Sequence, residues 1–187
     1  MKTIRTFIAI PLPGEVKAIL AKLNQTLVAQ VPGRSVRWVN PQLMHITLRF
    51  LGDTLVTSLP ALSDMLDDIA AQHGVFTLEL GELGCFPNKK RPRVVWVGLS
   101  GNLDAARALK QDIEKSLLLL GWENEGRSFR PHLTIGRVKD SRGLRGFEWQ
   151  ADIENVTVPV RSIQLIESEL RRTGPIYTIR YKSDLCY

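Results

Sequence analysis

The chain has 187 residues, 44% of them apolar and 24% charged, with 25 Lys and Arg against 19 Asp and Glu. Those proportions are ordinary for a globular protein, and the length suits one compact domain or two intimately packed lobes. The net charge of +6 favours anionic partners, nucleic acid first. Cys85 and Cys186 are far apart with no CxxC spacing, which argues against a disulfide framework or a thiolate zinc site and fits a reducing cytoplasm.

Thr3 to Ile10 reads as a first strand, because Pro11 and Pro13 cut its apolar run short of a signal-peptide core. No stretch approaches the length of a membrane span. A helix follows, with Val16, Ile19, Leu20, Leu23 and Leu27 on one face and Pro32-Gly33 as its stop. A short strand at Val36 to Val39 precedes the turn Asn40-Pro41 and a strand from Met44 to Leu51, closed by Gly52-Asp53. Ser58 opens a second helix that turns Leu59, Leu62, Met65, Leu66 and Ile69 inward.

Val75 to Leu80 alternates like a strand, and Gly81 to Arg93, rich in Gly, Pro and cations, reads as a loop. Val94 to Leu99 is an apolar, central strand. Asn102 or a neighbour starts a third helix with Ala106, Leu109, Ile113, Leu117 and Leu120 inward and Gly121 as its stop. Phe129 to Val138 is a strand, and residues 140–150 are a loop or one helical turn. Strands at Val156 to Val158, Ser162 to Leu170 and Ile176 to Tyr181 finish the chain, the last two joined as a hairpin through Arg171-Arg172-Thr173-Gly174-Pro175. Short links dominate, so an α+β architecture of mostly antiparallel sheets is expected.

Two of the three histidines occupy the same frame of His, aliphatic, Thr, aliphatic: His45-Ile46-Thr47-Leu48 and His132-Leu133-Thr134-Ile135. On a strand, alternation puts His and Thr on one face and the aliphatic pair on the other. A single His-x-Thr is usually uninformative; the repeat is not, since each copy follows a proline and precedes an arginine, Arg49 or Arg137. Brought side by side, two imidazoles and two hydroxyls suit phosphodiester hydrolysis. One imidazole would accept a proton from water and the other would give one to the leaving oxygen. Thr47 and Thr134 would donate to the phosphoryl oxygens, with Arg137 and Arg130 adding charge-assisted contacts. His73 has a structural explanation, a cation beside a helix C-terminus.

The sequence resembles the two-histidine (2H) phosphoesterase superfamily, in particular the LigT-like RNA 2′,3′-cyclic phosphodiesterases, often labelled 2′-5′ RNA ligases. The resemblance rests on Arg5-Thr6-Phe7-Ile8-Ala9-Ile10, Arg37-Trp38-Val39, His45 to Gly52, Phe86-Pro87, Arg91-Pro92-Arg93-Val94, Phe129 to Arg137 and Glu167-Ser168-Glu169-Leu170. It implies a bilobal α+β fold, two mostly antiparallel sheets with helices outside and a pseudo-twofold central groove, over a single domain of residues 1–187. It implies a metal-independent phosphoric diester hydrolase with no cofactor, opening RNA 2′,3′-cyclic phosphate ends to a 2′-phosphate and a free 3′-hydroxyl. By that pattern His45 is the proton donor, His132 the base, and Thr47, Thr134 and Arg137 hold the phosphate.

The expected partner is RNA with a 2′,3′-cyclic phosphate end, tRNA fragments among the candidates, and the expected state is a cytoplasmic monomer without membrane or metal. Phe86, Lys89, Arg91 and Arg130 are candidate RNA contacts. Arg171 and Arg172 extend the cationic path, and Trp38 is an alternative stacking residue to Phe86, although Trp38 and Trp96 both sit in apolar strands that suit a core. The competing readings are a non-catalytic RNA binder, ATP-independent joining of 2′-5′ linkages on the same site, and a metallohydrolase. The last lacks a third ligand near the two histidines.

Overall fold

The computed structural model describes all residues except 32, 127, 151, 152, 154, 155 and 173. Pro32 of the first helix stop and Thr173 of the last hairpin turn therefore lie outside the described residues. Strand β1 (Thr3–Pro11) leads into helix α1 (Gly14–Gln30), then β2 (Val36–Trp38), a 3-10 turn at Pro41–Leu43 and β3 (His45–Leu55). Helix α2 (Leu59–Ala70), β4 (Phe76–Phe86), β5 (Val94–Gly101), α3 (Leu103–Leu119) and β6 (His132–Val138) follow. The chain ends in β7 (Thr157–Val160) and the hairpin β8 (Ser162–Arg171) and β9 (Gly174–Asp184).

The strands run β7-β4-β5-β6-β3-β1-β8-β9, with β2 on β6, and every paired strand is antiparallel. The two expected sheets thus join into one. The join is narrow: β3 and β6 share a single pair, Ile46↔Leu133. β2 takes the edge of β6 from Gly136 to Val138, so β3 splays away and a groove opens between the halves. One face of the sheet is covered by helices, whose Leu20 and Leu27 (α1), Leu62 and Leu66 (α2) and Leu109 and Ile113 (α3) form one core with Ile46, Leu48, Leu133 and Ile135. Truncating a fully buried aliphatic side chain such as Ile46 costs about 2–5 kcal/mol, so the motif strands are fixed from behind.

Four expectations change. Gly52-Asp53 does not end β3, which runs on to Leu55 paired with β1. Gly81 does not open a loop: β4 continues to Phe86, with one irregularity between Leu80 and Leu83. Glycine serves close packing there, since a Cβ at Gly84 would lie 2.2 Å from the Trp96 ring. Ile19 and Leu120, expected inward, are exposed, and Asn24 is buried on α1, its amide donating to the Val39 carbonyl at 2.9 Å. Asn102 does cap α3, accepting from the Ala105 N–H at 3.1 Å, whereas the Ser58 side chain makes no cap bond on α2.

Candidate active site

The register around Ile46↔Leu133 builds the site. Continued by one residue each way, it sets His45 opposite Thr134 and Thr47 opposite His132, all four on the face away from the helices. The local twofold of an antiparallel pair therefore relates the two frames. Diagonal partners in such a pair have Cα atoms about 7–8 Å apart, so the two histidines stand on one short stretch of the same face.

Each frame also carries a bulge at its fourth residue. Ile8 and Ala9 pair with Arg49 and Thr47, skipping Leu48; Val95 and Trp96 pair with Gly136 and Thr134, skipping Ile135. Burial consequently repeats over six residues in both frames, with partly exposed His and Thr, then two buried residues, then an exposed one. Strict alternation would have pointed Arg137, five residues past His132, to the wrong face. The bulge returns it to the groove. In the first frame the same position is Phe50, which is 51% exposed.

The two imidazoles are held alike. His45 Nδ1–H donates to the Leu43 carbonyl at 2.8 Å and His132 Nδ1–H to the Arg130 carbonyl at 2.7 Å. A carbonyl can only accept, so Nδ1 bears the proton and Nε2 is free to take or give one. Aromatic rings fix the planes. Phe7 stacks on His45 at 4.7 Å and Tyr177 meets it edge-on at 5.5 Å, while Phe86 meets His132 edge-on at 5.1 Å with Trp96 at 6.4 Å. Burial holds His45 below the ordinary imidazole pKa, against the Leu43 hydrogen bond, which raises it, and with a smaller lowering from Lys17. Burial raises the Tyr177 phenol, opposed by Arg137 and Arg5.

A groove of about 630 Å³ lies here, lined by His45, Thr47, Thr134 and Arg137 among others. His132 shares the strand face with Thr134 and lies just outside that lining, against Phe86. The four candidate RNA contacts are not in the lining. Phe86 packs on His132, Arg130 contributes its carbonyl to the same ring, Lys89 lies 5.9 Å over Trp149, and Arg91 is exposed. Of the expected core tryptophans, both are only partly buried, and Trp38 lines the groove. Arg171 pairs with Glu169 at 2.9 Å, and His73 joins the end of α2 to α3 through Asp112 at 3.0 Å.

Sequence reading assigned no role to Tyr177, Phe7, Phe50, Arg5 or Arg37. Phe50 had a signal, the same offset from its histidine as Arg137. Tyr177 arrives from the last hairpin and had none.

These features define a groove on an antiparallel sheet into which two like His-x-Thr frames face from opposite halves of the chain. The family described as LigT like Phosphoesterase matches the chain twice, over residues 10–96 and 97–177, and the chain belongs to it. An RNA 2′,3′-cyclic phosphodiesterase of Aeropyrum pernix is 35% identical over 167 residues, spanning 87% of this chain and 93% of its own length. Another of that name from Thermus thermophilus is 34% identical over 97% of this chain and 90% of its own. A crystal structure of a Thermus thermophilus protein superposes with a TM-score of 0.80 at 29% identity, covering 97% and 98% of the two chains. Escherichia coli LigT complexed with 3′-AMP, 24% identical over the whole of both chains, shares the fold at a TM-score of 0.79.

Proposed function

We propose that this chain is an RNA 2′,3′-cyclic phosphodiesterase, its two lobes acting as one catalytic domain that opens the cyclic end to a 2′-phosphate and a free 3′-hydroxyl without metal. The observation that carries the reading is the pair of imidazoles with Nδ1 committed to a carbonyl and Nε2 free, one on each side of the β3–β6 junction. The names of the relatives support it.

In the proposed reaction, neutral His132 takes a proton from water through Nε2 as the water oxygen bonds to phosphorus. The P–O3′ bond breaks, and protonated His45 gives its Nε2 proton to O3′. The Thr47 and Thr134 hydroxyls donate to the non-bridging oxygens, where negative charge builds, and Arg137 balances it. The histidines finish with their protonation exchanged, and solvent resets them. An oligonucleotide with a 2′,3′-cyclic phosphate end, incubated with the protein in chelator, should yield a phosphomonoester on the 2′ oxygen by ³¹P NMR. A 3′-phosphate, or no turnover, overturns the reading.

The titration of His45 shows in the pH dependence. Burial lowers its pKa, so one limb of kcat/KM should bend below the ordinary imidazole value of about 6.5, whichever proton His45 handles. A bound phosphodiester anion stabilises the imidazolium and should move the same limb of kcat to higher pH. Tyr177→Ala opens His45 to water and should move that limb of kcat/KM to higher pH. A profile that does not move overturns its assignment to His45.

A further inference from the structure

Three arginines line the groove, Arg5, Arg37 and Arg137, and among the described residues none has a carboxylate within ion-pair distance. Elsewhere on the same sheet, Arg171 pairs with Glu169 and Arg180 with Glu167. The placement of Arg37 is the informative one. It is the direct partner of Arg137 across β2 and β6, so the two cations stand side by side on one face. Like charges directly opposite in an antiparallel pair are destabilising, and an anion between them removes the cost. A cyclic phosphodiester brings a single negative charge. Arg137 and Arg5, which both act on the Tyr177 phenol beside His45, are enough to meet it. Arg37 is in excess of what one phosphate needs.

Its guanidinium also reaches across the groove, because a Cβ at Gly174, at the start of β9, would lie 3.2 Å from Arg37 Nη2. Arg37 is thus one strand farther than Arg137 from the β3–β6 junction, against the wall made by Gly174, Pro175 and Ile176. Phe50, Leu170 and Ile176 supply the apolar part of the lining, suited to sugar and base rather than to charge.

We propose that Arg37, facing Arg137 across β2 and β6, binds the phosphodiester one nucleotide upstream of the cyclic end, so that the groove selects oligonucleotides over nucleoside 2′,3′-cyclic phosphates. The proposal rests on the hydrolase reading above and adds the number of phosphates the site engages. A guanidinium–phosphate contact of this kind gives roughly tenfold or more in affinity.

The test compares kcat/KM for a nucleoside 2′,3′-cyclic phosphate and for a dinucleotide ending in one, with wild type, Arg37→Gln and Arg37→Lys. Wild type should prefer the dinucleotide by roughly tenfold or more, through KM, and lose the preference as salt rises. Arg37→Gln should abolish the preference by weakening dinucleotide binding alone, and Arg37→Lys should keep part of it as a point charge. Wild-type turnover of both substrates without preference overturns this proposal and leaves the hydrolase reading standing. Equal losses on both substrates in Arg37→Gln also overturn it, since Arg37 would then serve the reacting phosphate or the fold. No turnover of either substrate by wild type overturns both.

Discussion

Replacing either His45 or His132 by Ala is expected to lower kcat by roughly 10²–10⁴-fold with little change in KM, the range ordinarily supplied by one positioned proton-transfer group. The near-constant KM follows from where binding arises. The phosphate is to be held by Thr47, Thr134 and Arg137, and each imidazole offers only Nε2, because Nδ1 is bonded to the Leu43 or Arg130 carbonyl. The double variant should be barely slower than either single one. In the proposed reaction, proton removal from water and proton delivery to O3′ belong to one transition state, and removing either end already forfeits it. Single-turnover rates on a cyclic-ended oligonucleotide, with affinity measured on the 2′-phosphorylated product, check both statements. Losses that multiply in the double variant would mean that the rings act in separate steps.

The second large effect concerns stability. Arg49 follows the first motif by one residue, yet it points away from the groove and is buried. Its Nε lies 3.2 Å from Glu114 Oε1 on α3, its Nη1 3.7 Å from Glu125 Oε2, and its Nη2 donates to the Glu123 carbonyl. Buried Lys110 donates to the same two carboxylates, 3.0 Å from Glu125 Oε2. Two cations and two carboxylates thus tie β3 and α3 to the segment that runs from Trp122 to His132. Arg49→Ala strips half the positive charge from two sheltered carboxylates. Breaking a buried pair in this way costs about 3–5 kcal/mol. At about 2–4 °C per kcal/mol for a domain of this size, thermal denaturation should show Tm lowered by roughly 6–20 °C. Arg49→Lys, which keeps the charge and loses the fork, should fall between wild type and Arg49→Ala. An unchanged Tm for Arg49→Ala would show that the network contributes nothing net.

Arg49 and Arg137 also show where reading the sequence stops. The two arginines look equivalent on paper, each close behind a His-x-Thr. The fold separates them by one position: Arg49 occupies the buried fifth place of its frame, where the second frame has Gly136, and Arg137 the exposed sixth, where the first has Phe50. Gly136 is required at its place because a Cβ there would lie 2.7 Å from Val36 Cγ1 on the neighbouring β2. A bulge decides which of two adjacent residues faces the ligand, and bulges are set by pairing partners distant in the chain.

Local periodicity by itself determined the three helices, the presence of most strands and the repeated His-x-Thr frame. Those depend on neighbours within a few residues, and side-chain alternation carries them directly. The Ile46↔Leu133 register, the bulges at Leu48 and Ile135, the Phe7 and Tyr177 rings around His45 and the facing of Arg37 with Arg137 belong to the tertiary structure alone. Each joins segments tens of residues apart, and a strand's own sequence does not encode which residue of another strand will lie beside it.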